Sequence, residues 1–152
     1  MPSLNDHWFT KRQNGKTVHN WLSNFWIEPD GTNVEAEYQA EKHRVYPWRR
    51  ATILRCKPGQ AKKLGRRWPL TNYELMEWNN RKIQVMYALV KNKVESHPAI
   101  AVALVSTADA NLVEANWWHD NFWGDCTCLR CYHVGENHLG KIWMQLRAEI
   151  AE

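Results

Sequence analysis

Apolar residues recur at helical spacing in the second half of the chain, and this pattern predicts its main elements. The clearest helix begins at Thr71-Asn72-Tyr73-Glu74, which forms a capping box, and its apolar face continues to about residue 94. The apolar segment AIAVALV after His97-Pro98 predicts a second helix, buried on nearly all sides. A third helix is expected over residues 139–150, LGKIWMQLRAEI.

The first half of the chain shows two patterns. Residues 18–34 combine aromatic and β-branched residues with a Pro-Asp-Gly turn, which favours short strands joined by a hairpin-like connection. From Glu35 the pattern becomes helical, and this helix should stop before Pro47, because proline disfavours α geometry in the residue that precedes it. A short helix is also expected at Pro58–Leu64, with Gly65 as its C-terminal stop.

Residues 110–136 are polar, aromatic and rich in turn residues. They predict a long connection of the kind that carries function in compact domains. The patterns together predict an α+β fold: a single compact, predominantly helical domain over residues 1–152, with a small antiparallel sheet. A chain of 152 residues is long enough for one core and one cleft.

Composition indicates the class of protein to expect, the state of its cysteines and the location of its tryptophans. The longest apolar run, Ala99–Val105, is far shorter than a bilayer span, and the N-terminus lacks the apolar stretch of a signal peptide, so a soluble, cytoplasmic protein is expected. Three of the four cysteines crowd into residues 126–131, which is not the pattern of a disulfide framework, so reduced thiols are expected. Most of the ten tryptophans are expected in the core, and a few are candidates for stacking on a base.

The positive charge of the chain is unevenly distributed. The formal net charge is only +4, but residues 42–68 hold ten Lys or Arg and no Asp or Glu. Such a run is either a solvated basic face or a phosphate-binding surface. The pairs Arg49-Arg50 and Arg66-Arg67 favour phosphate, because guanidinium groups match phosphate oxygens in a bidentate way.

One helix face brings three kinds of polar group together. Glu35, Gln39 and Lys42 stand at positions i, i+4 and i+7, so an acid, an amide and an amine should share one face. The alternative is an exposed stripe of ion pairs. Glu35 also lies near the helix N-terminus, where the macrodipole favours a carboxylate. Glu37 and Glu41 lie off this face and are expected to be ordinary solvated residues.

Two further clusters lie in the long connection. In NWWHDNFWGD, His119 and Asp120 stand between Trp118 and Trp123, which suggests a desolvated pocket where a base stacks, or core aromatics with incidental polar residues. Cys126, Cys128 and Cys131 follow, and a fourth ligand from His133 or His138 would complete a tetrahedral zinc site. The spacing lacks paired C-x-x-C knuckles, so no metal is assigned from the sequence and the zinc alternative stays open.

These pieces fall in an order that resembles the NADAR family, the YbiA-like N-glycosidases, from about residue 20 to the end. The matching residues are Leu22-Ser23-Asn24-Phe25, Val34-Glu35, Tyr38-Gln39-Ala40, Lys42, Pro58, Ala61-Lys62, Gly65-Arg66, Trp78, Met86, Leu112-Val113-Glu114, Asp120, Trp123-Gly124, Gly135, Asn137, Leu139-Gly140, Met144 and Arg147. Ala36 departs from the pattern, since many relatives carry histidine there, and the cysteine segment looks like a loop of only a subset of members.

The resemblance implies hydrolysis of an N-glycosidic bond at ribose C1, without a cofactor. It implies two substrate classes: ADP-ribose attached to guanine in DNA, which the basic segment favours, and phosphorylated ribosylaminopyrimidines of riboflavin biosynthesis. The expected partners are therefore ADP-ribose or a phosphorylated ribosylamine, with ADP-ribosylated DNA as a macromolecular partner, and no membrane. Two alternatives are a non-catalytic module that binds ADP-ribose or a nucleotide, and a zinc-dependent nucleic-acid-binding domain.

The chemistry of this bond assigns roles to the candidate residues. Glu35 would supply a proton to the departing amine, and Asp120 would orient sugar hydroxyls or water. Either Glu35 activates water directly, or Lys42 attacks C1 of the opened sugar and forms a Schiff base, which is the route we favour. Lys62 and Arg66 would hold phosphate and Trp123 would stack on a ring. The further expected substrate contacts are Ser23, Asn24, Gln39, Trp78 and Asn137.

Overall fold

The computed structural model describes residues 12–13, 16–17, 19–132 and 134–152. The chain divides into two compact units. The central unit is Asn24–Lys93, and the terminal unit combines the chain up to Ser23 with Val94–Glu152.

Helices dominate the described residues, as predicted. The helices are α1 (Val34–Lys42), α2 (Pro47–Leu54), α3 (Pro58–Arg67), α4 (Asn72–Ser96), α5 (Pro98–Ser106) and α6 (His138–Ile150), with a 3-10 turn at Asn20–Leu22. The strands are two residues each: β1 (Arg12–Gln13) pairs antiparallel with β2 (Lys16–Thr17), and β3 (Ala115–Asn116) pairs parallel with β4 (Asp125–Cys126). The predicted fold class, mainly helical with a small antiparallel pair, is confirmed.

Small side chains hold the first three helices of the central unit together. Ala36 and Ala40 on α1, Ile53 on α2 and Ala61 on α3 form one buried cluster. Alanine methyl groups let helix backbones approach closely, so polar atoms near the cluster also come within hydrogen-bonding distance. The start of α1 is fixed by Asn33, whose side chain accepts a hydrogen bond of 2.8 Å from the backbone N–H of Ala36.

The predicted capping box of α4 is confirmed. The N–H of Thr71 donates to Glu74 Oε1 at 2.9 Å, and the N–H of Glu74 donates to Thr71 Oγ1 at 3.1 Å. On the inner side of this helix, Trp78 packs on Tyr38 with ring centroids 5.0 Å apart. The long helix therefore starts where the sequence indicates and packs on α1 within the central unit.

Trp143 is the centre of packing in the terminal unit. It is fully buried on α6 together with Leu139, Ile142 and Leu146. Its ring stands edge-on to Trp21 at 5.4 Å, and its Nε1 donates a hydrogen bond of 3.2 Å to the carbonyl of Leu22. The apolar spacing predicted for the last helix therefore forms the core of this unit.

The predicted strands within residues 18–34 are wrong for residues 19–34, while Val18 lies outside the described residues. Residues 19–33 hold the 3-10 turn and irregular backbone instead, and Val34 begins α1. Asp30 Oδ1 accepts a hydrogen bond from Thr32 N at 3.0 Å, and Glu28 N donates to Thr32 O at 2.8 Å. Local turn bonds therefore satisfy groups that a strand ladder would have used.

Helix lengths were predicted only in part. The first helix ends at Lys42, before Pro47 as expected, but Pro47 then begins α2, which the sequence patterns did not predict. Helix α3 continues through Gly65 to Arg67, so Gly65 is not its stop. A proline in the first turn and a glycine inside a helix are both compatible with helical backbone, and packing decided both cases.

The burial of helix α5 and the burial of the tryptophans were both overestimated from the sequence. On α5, Ile100 and Leu104 are buried, whereas Val102 and Val105 are 70% and 45% exposed, so this helix is buried on one side only. Of the nine described tryptophans, only three are buried: Trp21, Trp78 and Trp143. Among the described residues, no helix has both the length and the apolar character needed to cross a membrane.

Candidate active site

Glu35 and Gln39 form a buried polar pair on α1. Glu35 is only 7% exposed and Gln39 only 6%, and Gln39 Nε2 donates a hydrogen bond of 3.0 Å to Glu35 Oε1. Burial of a carboxyl group is costly unless hydrogen bonds compensate for lost water. This burial excludes the alternative of an exposed ion-pair stripe, and it gives the face the character of a site rather than of a solvated surface.

The carbonyl of Gly65 receives two side chains from the end of α1. In a helix, this oxygen would accept from the backbone N–H of residue 69, but Pro69 has none. Instead, Lys42 Nζ donates to Gly65 O at 3.2 Å, and His43 Nε2 lies 3.0 Å from the same oxygen. A carbonyl at the end of α3 therefore fixes the amine of Lys42 beside the polar face of α1.

The pKa of Lys42 lies below its ordinary range. Burial is the largest cause, because it disfavours the charged ammonium, and the positive charges of Arg66 and Lys82 act in the same direction. The negative charge of Glu35 opposes them and is the smallest of the four causes. Lys42 is therefore easier to deprotonate than a surface lysine, which is what a nucleophilic amine requires.

His43 belongs to this arrangement, although the sequence analysis did not select it. It is fully buried, and its Nδ1 lies 3.3 Å from Arg49 Nη1. Because arginine only donates, Nδ1 must accept and Nε2 carries the proton given to Gly65 O. Burial lowers the pKa of His43, which fits this neutral form. The signal was available, since position 43 continues the i, i+4 spacing of positions 35 and 39.

The backbone of Asn24 lies next to Glu35. The N–H of Glu35 donates to Asn24 O at 3.1 Å, and Asn24 Nδ2 points to Met86 Sδ at 3.6 Å. Its Oδ1 is buried and has no hydrogen-bond partner among the described residues. A buried acceptor in this state is suited to a hydroxyl or amine of a ligand.

The predicted phosphate contacts lie on α3 of the same unit. Lys62 is half-buried, with Nζ 5.7 Å from the ring centroid of Phe25, and Arg66 is exposed. Trp78 is 4% exposed and packs on Tyr38, so the structure gives it a place in the core. The substrate-binding roles of these residues stay predictions.

Glu37 and Glu41 are not the ordinary solvated residues expected. Burial, and then the negative charges of Glu28 and Asp30, raise the pKa of Glu37. Glu41 is held by Arg81, which contacts its carboxylate at 3.3 Å and its backbone carbonyl at 2.6 Å. Helical spacing separated them correctly from Glu35, but it did not predict their surroundings.

Four further predicted site residues lie in the terminal unit. Asp120 Oδ1 accepts from the backbone N–H groups of Phe122 and Trp123, at 3.1 and 3.0 Å, so one oxygen of this carboxylate closes a turn. The amide of Asn137 bridges Leu112 O and Glu114 N, at 2.9 Å each. Trp123 stands edge-on to Phe122, and Ser23 follows the 3-10 turn. Their roles toward a substrate stay predictions.

The desolvated pocket predicted around His119 is not observed. His119 is exposed and Trp118 is 44% exposed, because the imidazole turns toward the cysteines instead of lying between tryptophans.

The ligand atoms of four residues lie within 4.8 Å of one another: His119, Cys126, Cys128 and Cys131. Of the histidines considered from the sequence, His138 pairs with Glu136, and His133 lies outside the described residues.

Comparison with known proteins identifies the family. The family model described as the NADAR domain matches residues 8–151. In three dimensions the chain is similar to the NMR structure of the E. coli protein YbiA, with a TM-score of 0.69 and 34% identity over 86% of this chain and 77% of that one. The chain belongs to the NADAR domain family, and the predicted family is confirmed.

Relatives with descriptive names fall into two groups. "N-glycosidase YbiA" of Escherichia coli (strain K12) is 33% identical, covering 86% of this chain and 81% of that protein. "Riboflavin biosynthesis protein PYRR, chloroplastic" of Zea mays is 38% identical over 77% of this chain, and its counterpart in Arabidopsis thaliana is 38% identical over 60%. The matched part of this chain corresponds to only 19% and 15% of these plant proteins.

We expect Gly65→Ala to destabilise the protein, because a Cβ at this position would lie 2.0 Å from Gln39 Oε1. To relieve this clash, the side chain of Gln39 would have to move away from the buried Glu35. The expected loss in the free energy of unfolding is ~1–3 kcal/mol, measured by denaturant titration. Gly59→Ala on the same helix is the control, because its Cβ would meet nothing within 4 Å, and it should stabilise by ~0.5–1 kcal/mol. Equal effects of both changes would contradict the close packing of Gln39 on Gly65.

Proposed function

We propose that this protein is an N-glycosidase that hydrolyses the bond between ribose C1 and the exocyclic amine of a base. The observation that carries the proposal is the buried Glu35–Gln39 pair on the same helix face as Lys42, whose pKa is lowered. A proton donor and an amine nucleophile are the two groups that this cleavage needs. The name of the E. coli relative, an N-glycosidase, supports the same reaction class.

In the proposed reaction Lys42 forms a covalent intermediate. Ring opening breaks the bond between C1 and the ring oxygen, which takes a proton from Glu35, and leaves C1 as a protonated imine of the base amine. Neutral Lys42 Nζ adds its electron pair to C1, and the proton that Nζ loses returns to Glu35. The base amine takes this proton from Glu35 and departs with the electrons of its bond to C1, which leaves a protonated Schiff base on Lys42. Water adds to C1 and loses a proton to Glu35. Lys42 takes this proton and leaves as the free amine, while the new hydroxyl on C1 returns its own proton to Glu35 and C1 becomes the aldehyde of the sugar.

Glu35 is suited to the proton transfers in this sequence. It is buried, and its backbone N–H and one carboxylate oxygen are held by Asn24 O and Gln39 Nε2. A carboxyl group fixed in this way stays in one position while it gives and takes back a proton. The competing route, in which Glu35 activates water directly, uses the same carboxyl group but leaves Lys42 unmodified.

We propose ADP-ribose on guanine in DNA as the substrate. The acid-free segment presents exposed cations on α2 and α3, including Arg50, Lys63, Arg66 and Arg67. Trp48 on α2 is 71% exposed and is suited to stacking on a base. A pyrophosphate attached to a DNA strand would use more of this charge than a small phosphorylated pyrimidine would.

The second candidate substrate is a phosphorylated ribosylaminopyrimidine. The specific observation in its favour is the name of the plant relatives, which are riboflavin biosynthesis proteins. Both substrates attach ribose to an exocyclic amine and carry phosphate, so the chemistry of Glu35 and Lys42 is the same for either.

The two candidate substrates are distinguished by which of them the protein cleaves to release ADP-ribose or a ribose phosphate. The protein is incubated separately with an ADP-ribosylated DNA oligonucleotide and with phosphorylated ribosylaminopyrimidines, and products are measured by mass spectrometry. We expect ADP-ribose and unmodified guanine from the DNA. Glu35→Gln should lower turnover at least ~100-fold while substrate binding persists, because the proton donor is lost. Glu37→Gln on the same helix is the control, since the mechanism does not use it.

Release from the pyrimidines alone would reverse the choice of substrate. Binding of ADP-ribose without turnover by the unmodified protein would instead indicate a sensor module and would contradict the enzymatic proposal. Retention of full turnover by Glu35→Gln would remove Glu35 from the mechanism.

Reduction with borohydride during turnover tests the lysine route. A Schiff base becomes a stable secondary amine, so the peptide that contains Lys42 should gain the mass of the reduced sugar. Lys42→Arg should give no adduct and no turnover, whereas Lys141→Arg, at an exposed position of α6, should behave as the wild type. An unmodified Lys42 in an active, trapped enzyme would leave direct attack by water as the mechanism.

The pH dependence of kcat/KM should report the deprotonation of Lys42. Activity should rise with pH through the lowered pKa of this amine, because only the neutral form attacks C1. Lys82→Gln removes one of the positive charges that lower this pKa, so the rise should move to higher pH. Lys91→Gln removes the same charge from the same helix at an exposed position and should leave the profile in place. An identical shift in both variants would contradict the assignment.

A further inference from the structure

One group of metal-binding side chains takes no part in the chemistry above. His119 Nδ1 and the Sγ atoms of Cys126, Cys128 and Cys131 all lie within 4.8 Å of one another in the terminal unit. Cys126 is fully buried, Cys128 and Cys131 are partly buried, and His119 is exposed. Each residue therefore turns one soft or borderline ligand atom toward a shared point.

The distances match a tetrahedral centre. His119 Nδ1 lies 3.6 Å from Cys126 Sγ, 3.5 Å from Cys128 Sγ and 3.4 Å from Cys131 Sγ. A tetrahedral zinc ion bonded to sulfur at ~2.3 Å and to nitrogen at ~2.0–2.1 Å would hold nitrogen and sulfur about 3.6 Å apart. The four atoms thus stand close to the positions that an ion would impose.

Hydrogen bonding alone does not account for this arrangement. The Nδ1 of a histidine either donates one hydrogen or accepts one, so it satisfies one sulfur at a time. Here one nitrogen is nearly equidistant from three sulfurs. A common partner between the four atoms explains the equal distances directly.

The backbone around the cluster supports the sulfur atoms. The N–H of Cys131 points to Cys128 Sγ at 3.4 Å, so Cys128 to Cys131 forms one C-x-x-C knuckle. The N–H of Cys126 donates to Asn121 Oδ1 at 2.9 Å, which fixes the strand residue that carries the buried thiol. Hydrogen bonds of this kind orient ligands and tune a bound metal.

The same segment has little apolar packing of its own. Trp117, Leu129, Tyr132 and Val134 are each at least 69% exposed. His119 and Tyr132 also adopt left-handed backbone, with φ of 68° and 44°, which is costly outside glycine. A segment without a hydrophobic core needs another source of order, and a metal cross-link supplies one.

We propose that His119, Cys126, Cys128 and Cys131 form a structural zinc site. Three thiolates and one imidazole in tetrahedral arrangement favour Zn²⁺ over metals that prefer oxygen ligands or octahedral geometry. All four positions come from the protein, so no position remains for water, and the role is structural rather than catalytic. The fourth ligand in this site is His119, whereas His133 and His138 were the candidates considered from the sequence.

The site supports a turn that carries a predicted functional residue. Asp120 follows His119 directly, and its carboxylate and backbone hold the turn through Phe122, Trp123 and Asn116. Zinc at His119 would fix the start of this turn. The proposal concerns the folding of the segment and does not depend on the reaction proposed above.

Metal content of the purified protein tests the proposal. The protein is purified under reducing conditions without chelator, and zinc is measured by plasma mass spectrometry, with a single zinc ion per chain expected. Replacement by Co²⁺ should give the intense visible bands of tetrahedral cobalt and the thiolate charge-transfer absorption. Zinc affinity is then measured by competition with a chromophoric chelator for the wild type and for each variant.

Matched variants assign the ligands. His119→Ala, Cys128→Ser and Cys131→Ser should each weaken zinc binding by ~100-fold or more, because loss of an outer-shell partner alone costs 10–100-fold. His133→Ala and Cys56→Ser are the controls and should bind as the wild type does. These ligand positions are not fully buried, so each variant is expected to remain folded, and circular dichroism of each variant checks this.

Three outcomes would overturn the proposal. One is a folded, reduced wild type that binds neither zinc nor cobalt stoichiometrically. Another is a disulfide between two of the three thiols in protein whose free thiols were alkylated at lysis. The third is undiminished affinity in His119→Ala with loss in His133→Ala, which would reject the assigned fourth ligand.

Discussion

The close approach of α1 and α3 is the constraint on which the candidate active site depends. Ala36, Ala40 and Ala61 make this approach possible, and Gly65 leaves the space that Gln39 occupies. Because Pro69 has no N–H, the carbonyl of Gly65 is left for Lys42 and His43. Small residues, a missing Cβ and a missing donor thus turn a helix contact into a polar site.

Burial gives this site its chemistry. A carboxyl group and an amine close to each other in water would form an ordinary ion pair of little value. Lys42 lies at the end of α1, where burial and the cations Arg66 and Lys82 each lower its pKa more than Glu35 raises it. The amine is therefore biased toward its neutral form. Burial also lowers the pKa of His43, in agreement with a neutral imidazole whose Nε2 donates to Gly65 O.

The terminal unit orders its long connection differently. Local hydrogen bonds from Asp120, Asn121 and Asn137 replace regular secondary structure, and two-residue strands are all that pair there among the described residues. Aromatic side chains that the composition assigned to the core, such as Trp117, lie exposed instead. In such a segment side-chain chemistry, and not apolar burial, has to fix the backbone.

The sequence by itself determined the helical class, the family, the capping box at Thr71 and the shared face of Glu35, Gln39 and Lys42. The family rests on the resemblance of its motifs, and the other features follow from local spacing and from hydrogen bonds between residues a few positions apart. Only the tertiary structure decided that this face is buried, that Gly65 lies inside a helix, and that His119 joins the cysteines. Each of these depends on which atoms distant segments bring into contact, and periodicity along the chain carries no information about such contacts.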